Sequence, residues 1–329
     1  MGMWLIPADL LAGSRFVVSP LAETVAALTV LSRPDPPGIP WQRAFRATHL
    51  EAYDDLLTAR PELRLLADRL WRPRRGETPG WIADFLSPPP LGPEAGFDAE
   101  LAQIDAWDEA RMRAELRALH RAPLPGVLER AGLGGLVREL LDWVWTVTVL
   151  ADWPRRRRVL EADIVSRTSQ LATEGWTGVF SSLSAHQRWL GDGLLQVNGY
   201  DLPTRDLSEA RELSFVPVHS NGGWVAWDLP ERYALVYPVA GALAQVGSGR
   251  GGPDAVARLI GANRARVLGL LDDPRSTTQL AALTGLPLGA VGNHLRVLLE
   301  AGLVLRRRSG REVLYWRTVL AEELLAASR

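Results

Sequence analysis

The chain has no cysteine and no lysine. The first absence excludes disulfides, thiolate nucleophiles and the cysteine clusters by which many metal sensors hold their ion. The second leaves all 37 basic residues as arginine, a usage that codon bias in a GC-rich genome produces, although the planar guanidinium also suits phosphate forks. Long apolar runs are missing too. The stretch 143–151 is closed off by Asp142 and Asp152 and falls well short of the ~18 residues a membrane-spanning helix needs. The N-terminus carries no basic leader and Asp9 interrupts its apolar run, so a cytoplasmic protein with no membrane partner is expected. Histidines are few and scattered. His49, His120, His186, His219 and His294 form no His-x-x-x-His or His-Glu pair, and no Gly-x-Ser-x-Gly elbow occurs. No catalytic residue, cofactor or metal site is therefore expected, and an enzyme is disfavoured.

What is present suggests more than one domain. A length of 329 residues exceeds a single small module, and 47% hydrophobic residues suffice for a real core. The net charge of -1 conceals an asymmetry. From Arg258 to the end there are 11 arginines against 6 acidic residues, a net +5, while the remainder holds 26 against 32, a net -6. Any nucleic-acid contact is thus expected at the C-terminal end. Thirteen tryptophans lie mostly outside that end, where they suit either a large helical core or the aromatic wall of an effector pocket.

The first 175 residues read as a mostly helical domain. Ser19 and Pro20 have the form of an N-cap and first helical residue, and Leu21, Val25, Leu28 and Leu31 follow at helical spacing. The proline-rich run 33–40 breaks that helix, and residues 41–57 and 61–71 predict two more. After a second break at 72–80 comes Asp84-Phe85-Leu86-Ser87-Pro88-Pro89-Pro90. Its triple proline allows a polyproline ligand, but the apolar residues before it favour a loop pinned to the core. Residues 97–120 read as one charged amphipathic helix and 133–153 as a more apolar, central one ended by Trp153-Pro154. Trp143 and Trp145 cannot share a helix face at two-residue spacing. Arg155 to Arg158 open the next helix against its dipole, as a solvated face paired with Glu161 and Asp163 or as a second anion contact.

After Gly175 the pattern turns to strands. Residues 194–197, 213–218, 224–227 and 234–239 predict a small antiparallel region, with Asn221-Gly222-Gly223 as a turn, so 176–246 is taken as the β-containing part of the same domain. The glycine-rich run 247–253 lacks the Lys-Ser/Thr of a phosphate-binding loop and reads as a linker to 254–329. The expected fold class is mainly α with a small antiparallel β region and a C-terminal winged helix-turn-helix.

That last module is legible in detail. Leu259, Val267, Leu268 and Leu271 predict a first helix stopped by Asp272-Asp273-Pro274, and Ser276 or Thr277 can cap a second one. Gly285 suits the left-handed residue of a tight turn. In the third helix Val291, Leu295, Leu298 and Leu299 form the buried stripe, leaving Ala290, Asn293, His294, Arg296 and Val297 outside. Residues 303–307 and 312–316 predict a hairpin around Arg308-Ser309-Gly310-Arg311, the form of a wing along a phosphate backbone. Val319, Leu320, Glu323, Leu324 and Leu325 predict a final helix, short and apolar as dimer contacts often are.

Residues 285–318, GLPLGAVGNHLRVLLEAGLVLRRRSGREVLYWRT, resemble the ArsR-type winged-helix regulators, through His294-Leu295, Leu298, Ala301-Gly302-Leu303-Val304 and the arginine-rich wing. Pro287 and Gly292 stand where that family commonly has serines, which implies fewer hydroxyl contacts to phosphate. Ser19-Pro20 with Glu23-Thr24, Pro40-Trp41 and the Asp84 to Pro90 run further resemble the domain of undefined role that precedes such wings in actinobacterial regulators. The resemblance implies a homodimeric, sequence-specific DNA-binding regulator, by family expectation a repressor. Ala290, Asn293, His294 and Arg296 would enter the major groove, Thr277, Thr278 and Gln279 would approach phosphates, and Arg306, Arg307, Arg308 and Arg311 would form the wing. A small-molecule effector in the N-terminal domain is compatible with this; the alternatives are a sensor module or a scaffold whose winged helix binds protein.

Overall fold

A computed structural model describes residues 2–32, 40–72, 81–120, 122–130, 132–183, 187–200, 202–220, 222–239, 254–309 and 312–326. Most of the breaks at 33–40 and 72–80, the linker 247–253, Asn221, Gly310 and Arg311 lie outside the described residues. The chain divides into two compact units. One comprises Met1–Pro154 with Gln170–Ala240, and the other Arg155–Ser169 with Gly241–Arg329. No described helix is long and apolar enough to cross a membrane.

In the first unit the order is β1 (Met3–Leu5), α1 (Ala8–Ala12), β2 (Arg15–Phe16), α2 (Pro20–Ser32), α3 (Pro40–Ala59), α4 (Pro61–Ala67), β3 (Trp71–Arg72) and β4 (Trp81–Ile82). A 3-10 turn, Asp84–Leu86, precedes α5 (Phe97–Asp105), α6 (Glu109–His120) and α7 (Leu133–Val144). Then α8 (Trp153–Leu183) leads to β5 (Arg188–Gly191), β6 (Leu194–Gln196), β7 (Arg205–Asp206), β8 (Glu212–Val218), β9 (Trp224–Asp228) and β10 (Arg232–Pro238). Of α8, Arg155–Ser169 belongs to the second unit.

The fold class is mainly helical with small sheets, and the pairing within them is richer than a simple meander. One sheet has the order β5-β6-β1-β7 and the other β2-β8-β10-β9. β1 runs antiparallel to β6 but parallel to β7, and β10 runs antiparallel to β9 but parallel to β8. β8 and β9 are therefore not hairpin partners. β10 is threaded between them, which the spacing of two consecutive strands does not reveal.

Several helix boundaries also differ from expectation. Residues 97–120 are two helices, because Ala106 and Trp107 close α5 with backbone bonds to Gln103 and Ile104. Trp153-Pro154 begins α8 rather than ending α7, proline being well placed in a first helical turn. A π-helical turn at Trp145–Val149 and a 3-10 turn at Leu150–Asp152 lie between them. Gly175 breaks α8 with a φ of 67°, yet helix resumes to Leu183 before the strands start. Trp143 and Trp145 do face different partners: Trp143 packs on Tyr53, whereas Trp145 stacks on Phe97 at 4.6 Å.

Long-range polar contacts tie the first unit together. Ser19 Oγ accepts from the Ala22 amide, as its cap position predicts, and donates to Glu100 at 2.7 Å. Burial pushes the Glu100 carboxyl up to about 7 despite these bonds. Glu23 in α2 receives the His219 amide and the His219 ring, each at 2.9 Å, with both side chains fully buried. The Ser87-Pro-Pro-Pro run is buried, and Arg232 donates to the Pro89 and Pro90 carbonyls, so this run is pinned to the core as expected.

Candidate nucleic-acid interface

The second unit contains α9 (Asp254–Ile260), α10 (Ala262–Gly269), β11 (Arg275–Ser276), α11 (Thr277–Thr284), α12 (Leu288–Glu300), β12 (Val304–Ser309), β13 (Glu312–Arg317) and α13 (Val319–Ala326). The single first helix of the sequence reading is thus two, split at Gly261, whose φ of 89° only glycine adopts easily. The split takes Leu259 off the apolar face, and it is 71% exposed. Val267, Leu268 and Leu271 are fully buried as expected.

The turn into α12 is built from local signals. Ser276 closes a capping box on α11: its amide donates to Gln279 Oε1 at 2.7 Å and its hydroxyl accepts from the Gln279 amide. Gln279, expected near phosphates, therefore has its side-chain carbonyl engaged in the cap, next to half-buried Thr277 and exposed Thr278. Gly285 ends α11 at a φ of 70°, and Pro287 precedes α12 without any side-chain cap. Val291, Leu295 and Leu298 bury one stripe of α12 completely or nearly so. At about 2 kcal/mol for each such side chain, these three fix the roll of the helix.

The roll decides what faces out. Asn293 and Arg296 are exposed, Ala290 and His294 half-buried. Arg296 donates to Asn293 Oδ1 at 3.0 Å and to Glu300 Oε1 at 3.1 Å, a surface chain of polar groups cheap to open. His294 Nδ1 is buried and has no hydrogen-bond partner among the described residues, so a structural hydrogen bond through that nitrogen is not formed.

β12 and β13 pair in register from Val304↔Arg317 to Ser309↔Glu312, and β11 adds to the far side of β13. The strands extend further than expected, and Arg308 and Ser309 lie in β12 rather than in the turn. Arg306, Arg307 and Arg308 are all exposed on this edge strand. Alternation places Arg306 and Arg308 on one face of the ribbon and Arg307 on the other. Other arginines serve the fold. Arg275 is buried, donating to the Leu270 carbonyl at 2.6 Å beside Asp272 and Asp273, and Arg264 donates to the Ile260 carbonyl at the end of α9. Sequence reasoning passed over Arg275, and its position directly after Asp272-Asp273-Pro274 was the available signal. In α13, Ala321 and Leu325 are buried while Leu320 is 57% exposed.

Comparison with known proteins agrees with this geometry. A family model described as a helix-turn-helix domain matches residues 262–307, from the start of α10 to the middle of β12. No curated protein and no solved structure matches the chain.

Proposed function

We propose that the chain is a homodimeric transcriptional regulator of the ArsR type, acting as a repressor, whose α12 reads base edges while the β12–β13 wing grips phosphates. The observation that carries this reading is the joint presentation of Asn293, Arg296, Arg306, Arg307 and Arg308 as exposed polar groups on a helix-turn-helix with a buried apolar stripe. Thr278 adds a hydroxyl at the start of α11. The exposed leucines Leu259 and Leu320 favour a second copy as the partner of α9 and α13. Catalysis is not part of this reading. The first unit serves as the sensor of a small molecule, its ligand shifting the equilibrium between DNA-bound and released forms.

A mobility-shift assay with the duplex upstream of the chain's own gene tests the proposal, run from low to physiological salt. Saturable binding that weakens steeply with salt is expected. Absence of binding by full-length protein at low salt would overturn it and favour a scaffold that uses the winged helix for protein contacts.

A further inference from the structure

The first unit encloses a cavity of about 960 Å³ between the edge strands β7 and β9, with β1 and β4 completing its wall. That volume lies at the upper end of the range that holds small organic ligands. Its wall is aromatic, with Trp81, Trp224 and Trp227 all half-buried. Two of these indoles are fixed by hydrogen bonds: Trp227 Nε1 donates to Asp84 Oδ2 at 2.9 Å and Trp224 Nε1 to Ser87 Oγ at 3.0 Å. The edge of Trp81 meets Trp227 at a ring separation of 6.4 Å.

Two polar groups in this wall have unused capacity. The Arg205 guanidinium lies 4.3 Å from the centre of the Trp227 ring and, among the described residues, makes no hydrogen bond or ion pair. Gln187 is 3% exposed, yet its Oε1 has no partner among the described residues. A buried acceptor of this kind costs free energy unless something donates to it. Among the described residues the wall has one carboxylate, Asp84, which accepts the Trp227 N–H and lies within electrostatic reach of Arg205. The Arg205 guanidinium thus keeps its N–H donors open, and these select an acceptor-rich group on the ligand. The flat indoles select rings, and the guanidinium fork matches a carboxylate.

We infer that this cavity is a binding site for a ring-bearing carboxylate that also carries a hydrogen-bond donor. Trp81, Trp224 and Trp227 flank its rings, Arg205 holds its carboxylate and Gln187 Oε1 accepts from its hydroxyl or amine. The inference deepens the sensing half of the proposed function by giving the effector a chemical class, and its test is run first without DNA so that the two stand or fall separately.

The probe is hydroxynaphthoate, titrated calorimetrically into full-length protein, with naphthoate, the methyl ester of hydroxynaphthoate and naphthylmethylammonium as comparisons. Hydroxynaphthoate is expected to bind saturably and at least ~10-fold more tightly than its ester, the scale of a lost charge-assisted bidentate pair. Naphthoate is expected to bind a few-fold more weakly, with that difference abolished in Gln187→Leu. Arg205→Gln should bring acid and ester to the same affinity, and Arg205→Lys should fall between. Should either variant fold poorly, the acid and ester comparison on the unaltered protein still decides. Equal binding of acid and ester, preference for the ammonium probe, or no saturable binding by either carboxylate would overturn the inference. Operator affinity is then measured with and without saturating probe. Weakening of DNA binding supports both the site and its regulatory role, and unchanged DNA affinity alongside Arg205-dependent binding keeps the site but overturns its place in regulation.

Discussion

The two units use polar and aromatic side chains in opposite ways. The second unit buries Arg156, Arg167 and Arg275 but places Asn293, Arg296 and the arginines of β12 at its surface, whereas the first buries Glu23, Glu100 and His219 and carries every tryptophan except Trp316. A surface of exposed cations suits a ligand whose phosphates repeat along a rod. A rigid interior of indoles and paired polar groups suits recognition of one shape. The contrast teaches that the two units differ in where charge is exposed and where indoles are gathered.

The largest effect expected comes from breaking the buried pair of the first unit. Glu23→Ala leaves the His219 amide and ring without their acceptor and should destabilise that unit by about 3 kcal/mol, followed by denaturant titration of tryptophan fluorescence. Hydrogen exchange in α12 should stay as it is, and equal loss of protection there would erase the contrast between units. Next in size, Arg306→Ala with Arg308→Ala should weaken all duplexes by about 10- to 100-fold and lower the logarithmic salt slope by about two, while Arg307→Ala lowers it by about one. Mobility shifts at several salt concentrations check this.

Acidity gives a third, smaller effect. Burial holds Asp84 at about 6 and Glu100 at about 7, and burial together with the nearby Asp84 charge holds Glu115 at about 7. In each case the folded state binds its proton more tightly than the unfolded chain. The stabilisation is thus complete below the ordinary carboxyl range and is lost as pH rises through about 6 to about 7. The melting temperature of the first unit should fall by several degrees between pH 5 and 8, and Glu100→Gln should flatten that slope. Smallest is Gly292→Ser. A Cβ there meets nothing within 4 Å, so removing a helical glycine should stabilise α12 by about 0.5 kcal/mol. The added hydroxyl should tighten DNA binding slightly, as thermal melts and mobility shifts would record.

The second unit was more legible than the first for a physical reason. Its determinants are local: Ser276 caps three residues ahead, Gly285 turns the chain where it stands, and the wing pairs across two residues. Leu259 escaped because the split at Gly261 depends on a backbone angle that helical spacing does not encode. In the first unit the deciding contacts join residues far apart in sequence. Glu23 and His219 are 196 positions apart and Asp84 and Trp227 are 143 apart, and no local pattern announces either pair. Parallel pairing of β8 with β10 was hidden for the same reason. The tryptophan count left a helical core and an aromatic wall both open, and it gave no sign of Arg205 or Gln187, which look like ordinary surface residues until the two sheet edges are brought together.

Selection of bound sequences from random duplex DNA by the full-length protein tests the central claim most directly. The expected result is an enriched motif with two related half-sites, in which Asn293→Ala relaxes preference at particular base pairs while replacement of Arg306 and Arg308 lowers recovery without changing the motif. Recovery of unenriched DNA, or a motif indifferent to Asn293 and Arg296 alike, would contradict the assignment of α12 as the reading helix.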